Sequence, residues 1–99
     1  MTTTRYAVIE SNTGFVWAVV DAENALAACY AADRETGGRP DDGQYETAPT
    51  SDLNSTRGVY DVREAPACFD VADGQEAAEI ERVQTLPRAG IYGWVRADA

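Results

Sequence analysis

The first part of the chain carries two short runs of β-branched and aromatic residues, at residues 5–10 and 15–20. Such runs favour β-strands. The break between them contains Asn12 and Gly14, which readily adopt the positive φ angles of a hairpin loop. The pattern predicts an antiparallel hairpin. Its second strand carries apolar side chains on both faces: Phe15, Trp17 and Val19 lie on one face and their apolar neighbours on the other. We therefore expect it to be a central strand.

A helix is predicted to follow the hairpin. Asp21 can cap its start, because a carboxylate accepts hydrogen bonds from the free N–H groups of the first turn. Small apolar residues then recur at helical spacing and form one stripe. These are Ala22, Ala25, Leu26, Cys29 and Ala32. We expect the helix to end near Thr36, before Gly37 and Gly38, and to lie close on the sheet with Cys29 buried beneath it.

Residues 37–58 show no apolar period and are rich in Pro, Gly, Ser and Asn. This composition predicts a long loop, and loops of this length in compact domains are usually functional or disordered. Tyr45 and Leu53 are its large apolar residues. They are candidates either for pinning the loop to the core or for contacting a partner.

The remaining elements follow from shorter patterns. Alternation over residues 59–63 predicts a strand, and residues 69–71 predict a short strand or a turn. Asp73 and Glu76 have the spacing of a capping box at the start of a second helix. The apolar face of that helix is Ala77, Ile80 and Val83. Residues 91–95 predict a last strand.

The element order ββα, loop, β, α, β favours the α+β class. We expect a single globular domain over residues 1–99, with an antiparallel sheet of about four strands and two helices on one face of that sheet.

Composition then excludes most catalytic chemistry. The chain has no histidine, the commonest general base and metal ligand, and all eight of its basic residues are arginines, so the usual Schiff-base amine is absent. Cys29 and Cys68 have no CxxC spacing, so we expect no metal site. Two reduced thiols are expected, with a disulfide as the alternative. Asp41 and Asp42 lie in a loop that would not desolvate them, which argues against a general acid. We expect a non-enzymatic protein without a cofactor or a metal.

Charge is the strongest lead to function. Seventeen carboxylates against eight arginines give a net charge of -9. Such a surface repels nucleic acid and anionic lipid, so we expect no direct binding to nucleic acid or to a membrane, and it complements a basic protein surface. Residues 61–81 hold seven carboxylates and one arginine, Arg63. The seven are Asp61, Glu64, Asp70, Asp73, Glu76, Glu79 and Glu81. We call them the acidic window and predict that they bind a partner. The alternative is a solvated surface whose charge serves solubility.

Aromatic residues give a second lead. If both helices cover one face of the sheet, an aromatic set lies on the open face, where Trp and Tyr often anchor protein interfaces. Trp17, Tyr45 and Trp94 therefore join the predicted partner-binding residues. The alternative is core packing.

In size, acidity, lack of catalytic residues and alanine-rich, arginine-only usage, the chain resembles the small acidic proteins of phages and mobile elements, among them the anti-CRISPR proteins. Many of those proteins occupy basic nucleic-acid grooves. The resemblance is one of type and assigns no role to any residue. It implies an inhibitor in a bacterial host that acts as a nucleic-acid mimic and blocks a basic surface of a nucleic-acid-processing complex. Since no run of 18 apolar residues is present, we expect a cytoplasmic location. The alternative is a structural or assembly module, homodimeric through the open sheet face or an edge strand.

Overall fold

A computed structural model of the chain describes residues 2–11, 13–36, 45–50, 59–70 and 77–96. These residues form an antiparallel sheet with two helices, which confirms the α+β class. The elements are β1 (Thr4–Glu10), β2 (Val16–Ala22), α1 (Ala25–Thr36), β3 (Tyr45–Pro49), β4 (Tyr60–Glu64), α2 (Ala77–Val83) and β5 (Arg88–Arg96). The sheet therefore has five strands among the described residues, one more than expected.

The strand order is β2-β1-β4-β5-β3, and each neighbouring pair is antiparallel. The predicted hairpin is confirmed, because β1 pairs directly with β2, with Val8 opposite Ala18. The prediction that β2 is central is wrong. β2 lies at an edge and β1 in the interior, and β2 is apolar on both faces because the sheet is covered on both sides.

Helix α1 covers one face of the sheet with its small residues, here called the α1 side. Ala25, Ala28, Cys29 and Ala32 are buried against the side chains that β1, β2 and β4 direct toward the helix. Those side chains include Tyr6, Val8, Ala18, Val20, Tyr60 and Val62. Cys29 is fully buried, as predicted. Since the contact residues of the helix are small, its backbone can lie close to the sheet.

Helix α2 and residues 65–70 cover the opposite face, here called the α2 side. Val83 and Phe69 are buried there with Ala7, Ile9 and Val16. The prediction of two helices on one face is therefore wrong. The four consecutive residues from Tyr6 to Ile9 are all buried. Because successive strand residues point to opposite faces, burial of all four requires a layer on each side.

Strand β3 lies within the segment predicted to be a loop. It pairs with β5 at the second edge of the sheet, where Thr47 lies opposite Trp94. Its sequence, YETAP, has little apolar content and ends in Pro49, a residue that is tolerated on an edge strand because an edge leaves N–H groups unpaired. Hydrophobic periodicity could not detect such a strand. Asp41, Asp42 and Leu53 lie outside the described residues.

The start of α1 also differs from the prediction. Asp21 belongs to β2, where it lies opposite Arg5, and the pairing continues to Ala22. The N-cap is Asn24, whose side-chain Oδ1 accepts a hydrogen bond of 2.9 Å from the Ala27 N–H. An amide oxygen at this position satisfies the same free backbone donors as the carboxylate would. The predicted end at Thr36 is confirmed.

A β-bulge in β2 changes which face its side chains reach. Val8 lies opposite Ala18 and Ile9 opposite Val16, so Trp17 is the extra residue. Trp17 consequently packs on the α1 side together with Ala18, whereas Val19 packs on the α2 side. The predicted grouping of Trp17 with Val19 is wrong, because strict alternation fails at a bulge.

The carboxy-terminal elements agree in part with the sequence. Phe69 donates a backbone hydrogen bond of 2.9 Å to the Pro66 carbonyl and so ends a turn, Phe69 and Asp70 belong to no strand, and Val71 lies outside the described residues. Helix α2 is present, and Asp73 and Glu76 lie outside the described residues. Strand β5 begins at Arg88, before the predicted start at residue 91.

Gly14 is the position in the hairpin where a side chain should be most harmful. Its φ is 77°, and a Cβ there would lie 3.1 Å from Gln84 Nε2 and 3.3 Å from Ile80 Cγ2. We predict that Gly14→Ala lowers the free energy of unfolding by about 1 to 2 kcal/mol, since a non-glycine residue is strained at positive φ and would crowd α2. Urea unfolding measures the change. An unaltered midpoint with an unaltered slope would contradict this packing of α2 on the hairpin.

Candidate functional site

The described residues of the acidic window do not form one cluster. Glu64, Asp70 and Glu81 are exposed, whereas Asp61 is buried. Glu79 lies in α2, and Asp73 and Glu76 lie outside the described residues. The register pairs Glu64 with Tyr6, a residue of the α1 side. Asp70 and Glu81 belong to the segment and the helix that cover the α2 side.

Asp61 is neutralised inside the protein. Arg63 donates to its Oδ2 from Nε at 3.1 Å and from Nη2 at 2.9 Å. Arg88 donates from Nε to Oδ1 at 2.9 Å and from Nη2 to Oδ2 at 3.2 Å. These hydrogen bonds to Asp61 are the main reason that the pKa of Arg88 is raised. The window was expected to contain a single countercharge. Arg88, from the neighbouring strand, is a second.

Arg63 also fixes the chain that follows α2. Its Nη1 donates to the carbonyls of Gln84 at 2.7 Å and of Leu86 at 2.8 Å. The guanidinium is buried with Asp61 on the α2 side of β4. One planar cation therefore joins a carboxylate to two carbonyls, which uses the fixed directions of its five donors. This cluster has a structural role.

Arg5 is likewise engaged within the fold. Its Nε donates to the Phe69 carbonyl at 2.6 Å, and its Nη1 lies 3.3 Å from Asp21 Oδ1. The first contact holds residues 65–70 onto β1. Arg5, Arg63 and Arg88 thus have partners within the framework of the fold.

A second buried carboxylate, Asp33, lies on the opposite side of the sheet. Its Oδ2 accepts a hydrogen bond from the Thr47 hydroxyl at 2.9 Å, and its Oδ1 accepts one from the Tyr60 hydroxyl at 2.5 Å. All three residues are buried. The contacts join α1 to β3 and to β4. Among the described residues, no arginine forms an ion pair with Asp33.

Two tryptophans flank Tyr60 on the α1 side. The ring centroids of Trp17 and Tyr60 are 6.3 Å apart at 61°, and those of Tyr60 and Trp94 are 5.7 Å apart at 89°. Both tryptophans are partly exposed and pack against the core. Their Nε1 atoms are buried and have no hydrogen-bond acceptor in the part of the chain that is described. We call Trp17, Tyr60 and Trp94 the aromatic row.

The aromatic residues that the sequence singled out therefore do not stand on an open face. Trp17 and Trp94 lie on the face that α1 covers, and Tyr45 begins the edge strand β3. Their role in binding a partner stays a prediction. Phe15, at 45% exposure, is the most exposed large apolar side chain among the described residues.

Burial suppresses ionisation around Asp33. Burial raises the pKa of the Cys29 thiol to about 12, and the negative charge of Asp33 contributes further. Burial is also the first reason that the pKa of Tyr60 is raised, followed by its hydrogen bond to Asp33. Both groups are therefore protonated at neutral pH, and the Tyr60 hydroxyl acts as a donor.

The two cysteines are free. Cys29 is buried beneath α1, whereas Cys68 is exposed in the segment that covers the opposite face. The sheet separates them, so the disulfide alternative does not apply to this fold.

The sequence pattern did not predict the contact between Asp33, Thr47 and Tyr60. A signal for Asp33 was present: it follows Cys29 by four residues, and residues at this spacing share a helix face. A carboxylate on the apolar stripe of a helix indicates a buried polar contact. Thr47 offered no signal, because its strand was not predicted.

Comparison with known protein families, curated proteins and solved structures finds no significant match. The described residues enclose no pocket and hold no group of His, Cys, Asp or Glu side chains placed to bind a metal ion. Neither described helix is long and apolar enough to cross a membrane.

Asp61 should matter far more for stability than an exposed carboxylate. We predict that Asp61→Asn lowers the free energy of unfolding by about 3 kcal/mol, because it leaves buried guanidinium charge without its counterion. The matched control is Asp21→Asn, whose carboxylate is 58% exposed and which should cost less than about 1 kcal/mol. Chemical denaturation of both variants tests this. Equal losses would contradict a special role for the buried cluster.

Stability should fall at alkaline pH because of Cys29. The thiol ionises near its ordinary value of 9.0 in the unfolded chain but only near 12 when folded. The protonated thiol therefore favours the folded state in full below about pH 9, and stability falls as pH rises from 9 toward 12, by about 1 kcal/mol at pH 10. Cys29→Ala should flatten the decline between pH 8 and pH 10, whereas Cys68→Ala should not. A decline of unchanged slope in Cys29→Ala would refute the assignment.

Proposed function

We propose that this chain is a non-enzymatic inhibitor that binds a basic surface of another protein, acting as an anionic mimic of nucleic acid. The observation that carries the proposal is the charge balance at the surface. The chain has a net charge of -9, and three of its eight arginines are held by internal contacts. Exposed carboxylates such as Glu64 and Glu81 therefore face solvent with less local countercharge than the composition suggests.

The proposed contact residues are the acidic window without Asp61, because Asp61 is buried and already paired with two guanidinium groups. Carboxylates on an exposed surface attract a basic partner over a distance and discriminate against acidic ones. The proposed partner is a protein with a basic groove for nucleic acid, since phosphate-binding grooves concentrate arginine and lysine side chains.

An assembly module is less well supported. The sheet faces are covered by α1 on one side and by α2 with residues 65–70 on the other. The edge strands carry features that discourage pairing with another strand: a bulge at Trp17 in β2 and Pro49 in β3. Repulsion between two copies of charge -9 also opposes a homodimer.

Displacement from DNA-cellulose tests the proposal. Extract of the native host is bound to the resin at low salt, and the purified protein is used to elute it. We predict that it releases a defined set of nucleic-acid-binding proteins at low salt, which mass spectrometry identifies, and that the immobilised protein retains the same set less as salt rises because charge drives the contact.

Two variants with the same change in net charge localise the effect. Asp70→Asn with Glu81→Gln neutralises two exposed carboxylates of the acidic window, whereas Asp21→Asn with Glu23→Gln neutralises two exposed carboxylates elsewhere. The first variant should require several-fold more protein for the same release, and the second should resemble the wild type. Equal weakening would mean that the charge acts diffusely. Release of nothing by the wild type at any concentration would end the proposal.

A further inference from the structure

The aromatic row joins three rings on the α1 side of the sheet. Tyr60 is 1% exposed and lies edge-on to Trp17 and to Trp94, at centroid distances of 6.3 and 5.7 Å. Both tryptophans reach solvent in part, and the chain has no others. The row therefore presents two indoles to solvent, separated by one buried ring.

The solvent-exposed atoms of these two indole rings are carbon atoms. Each Nε1 is buried and has no acceptor among the described residues, so the one polar atom of each side chain does not face solvent. The faces of aromatic rings carry negative partial charge, and a cation placed over them is attracted.

A buried carboxylate contacts the central ring of the row. Asp33 accepts the Tyr60 hydroxyl, and no described arginine forms an ion pair with it. Hydroxyl donors stabilise a carboxylate but leave its charge in place. The electrostatic potential of Asp33 and of the ring faces therefore has the same sign over this part of the surface.

The negative charge of the protein determines which kind of ligand can bind at the aromatic row. A net charge of -9 repels nucleic-acid bases attached to phosphates, anionic lipid and a second copy of the chain. An arginine side chain complements both the aromatic faces and the negative potential of the row, because its planar guanidinium stacks on aromatic rings and always carries a positive charge.

We propose that Trp17 and Trp94 receive arginine side chains of a basic partner segment, with cation–π contacts over the two indoles and Asp33 as the fixed negative charge behind them. This inference rests on the proposed function and adds to it the place and the chemistry of one contact. It differs from the acidic window in requiring close stacking rather than attraction over a distance.

Titration with an octa-arginine peptide tests the contact, with tryptophan fluorescence as the readout. Trp17→Leu and Trp94→Leu each keep an apolar side chain and leave one tryptophan to report. Each substitution should weaken binding roughly 2-fold to 5-fold. Phe15→Leu is the matched control, because it removes a partly exposed ring outside the row, and it should bind like the wild type. Octa-lysine should bind the wild type more weakly than octa-arginine does.

Intermolecular NOEs on the wild-type protein remove the dependence on variants that fold poorly. NOEs between arginine methylene protons and indole protons of Trp17 or Trp94 would support the contact. Salt-dependent binding of octa-arginine without such NOEs, and with equal affinity in the tryptophan and Phe15 variants, would overturn this inference and leave the proposed function intact. Failure of the wild type to bind at low salt would overturn both.

Discussion

Burial of β1 on both faces is the constraint on which the rest of the fold depends. Tyr6, Ala7, Val8 and Ile9 are all buried, so neither face of this strand can be left to solvent. β2 and β4 pair on its two sides, α1 lies over the residues at even positions, and Phe69 with Val83 covers those at odd positions. A chain of this length has only a modest core, and a strand buried on both faces makes efficient use of few large side chains.

The two layers are each secured by a buried carboxylate, and the chemistry differs. Asp61 on the α2 side is neutralised by Arg63 and Arg88, and Arg63 also holds the carbonyls that follow α2. Asp33 on the α1 side is held by two hydroxyls, from Thr47 and Tyr60. The first arrangement cancels charge inside the protein. The second satisfies the oxygens with neutral donors. Burial, and after it the nearby Asp33, raise the pKa of the Cys29 thiol.

Local patterns predicted the elements better than they predicted their arrangement. The hairpin, both helices and the burial of Cys29 follow from periodicity and turn residues. The bulge at Trp17, the strand ending in Pro49 and the cover of the two faces depend on pairing between distant segments, which leaves no local period in the sequence. For the candidate site, Asp61 shows the same limit. Its place in an acidic run suggested exposure, but its ion-pair partner Arg88 is 27 positions away and becomes a neighbour only through the pairing of β4 with β5.

The exclusive use of arginine links this internal chemistry to the surface. A guanidinium can bind a carboxylate and backbone carbonyls at once, whereas an ammonium has three donors on a single atom and no planar geometry. Arg5 and Arg63 each make both kinds of contact. Guanidinium groups are therefore held in internal contacts in a protein that has few positive charges. Carboxylates that remain exposed, such as Glu64 and Glu81, repel one another, and a basic surface or bound cations would relieve that repulsion. The fold that uses its arginines as structural connectors thus makes its own surface more anionic than the composition alone conveys.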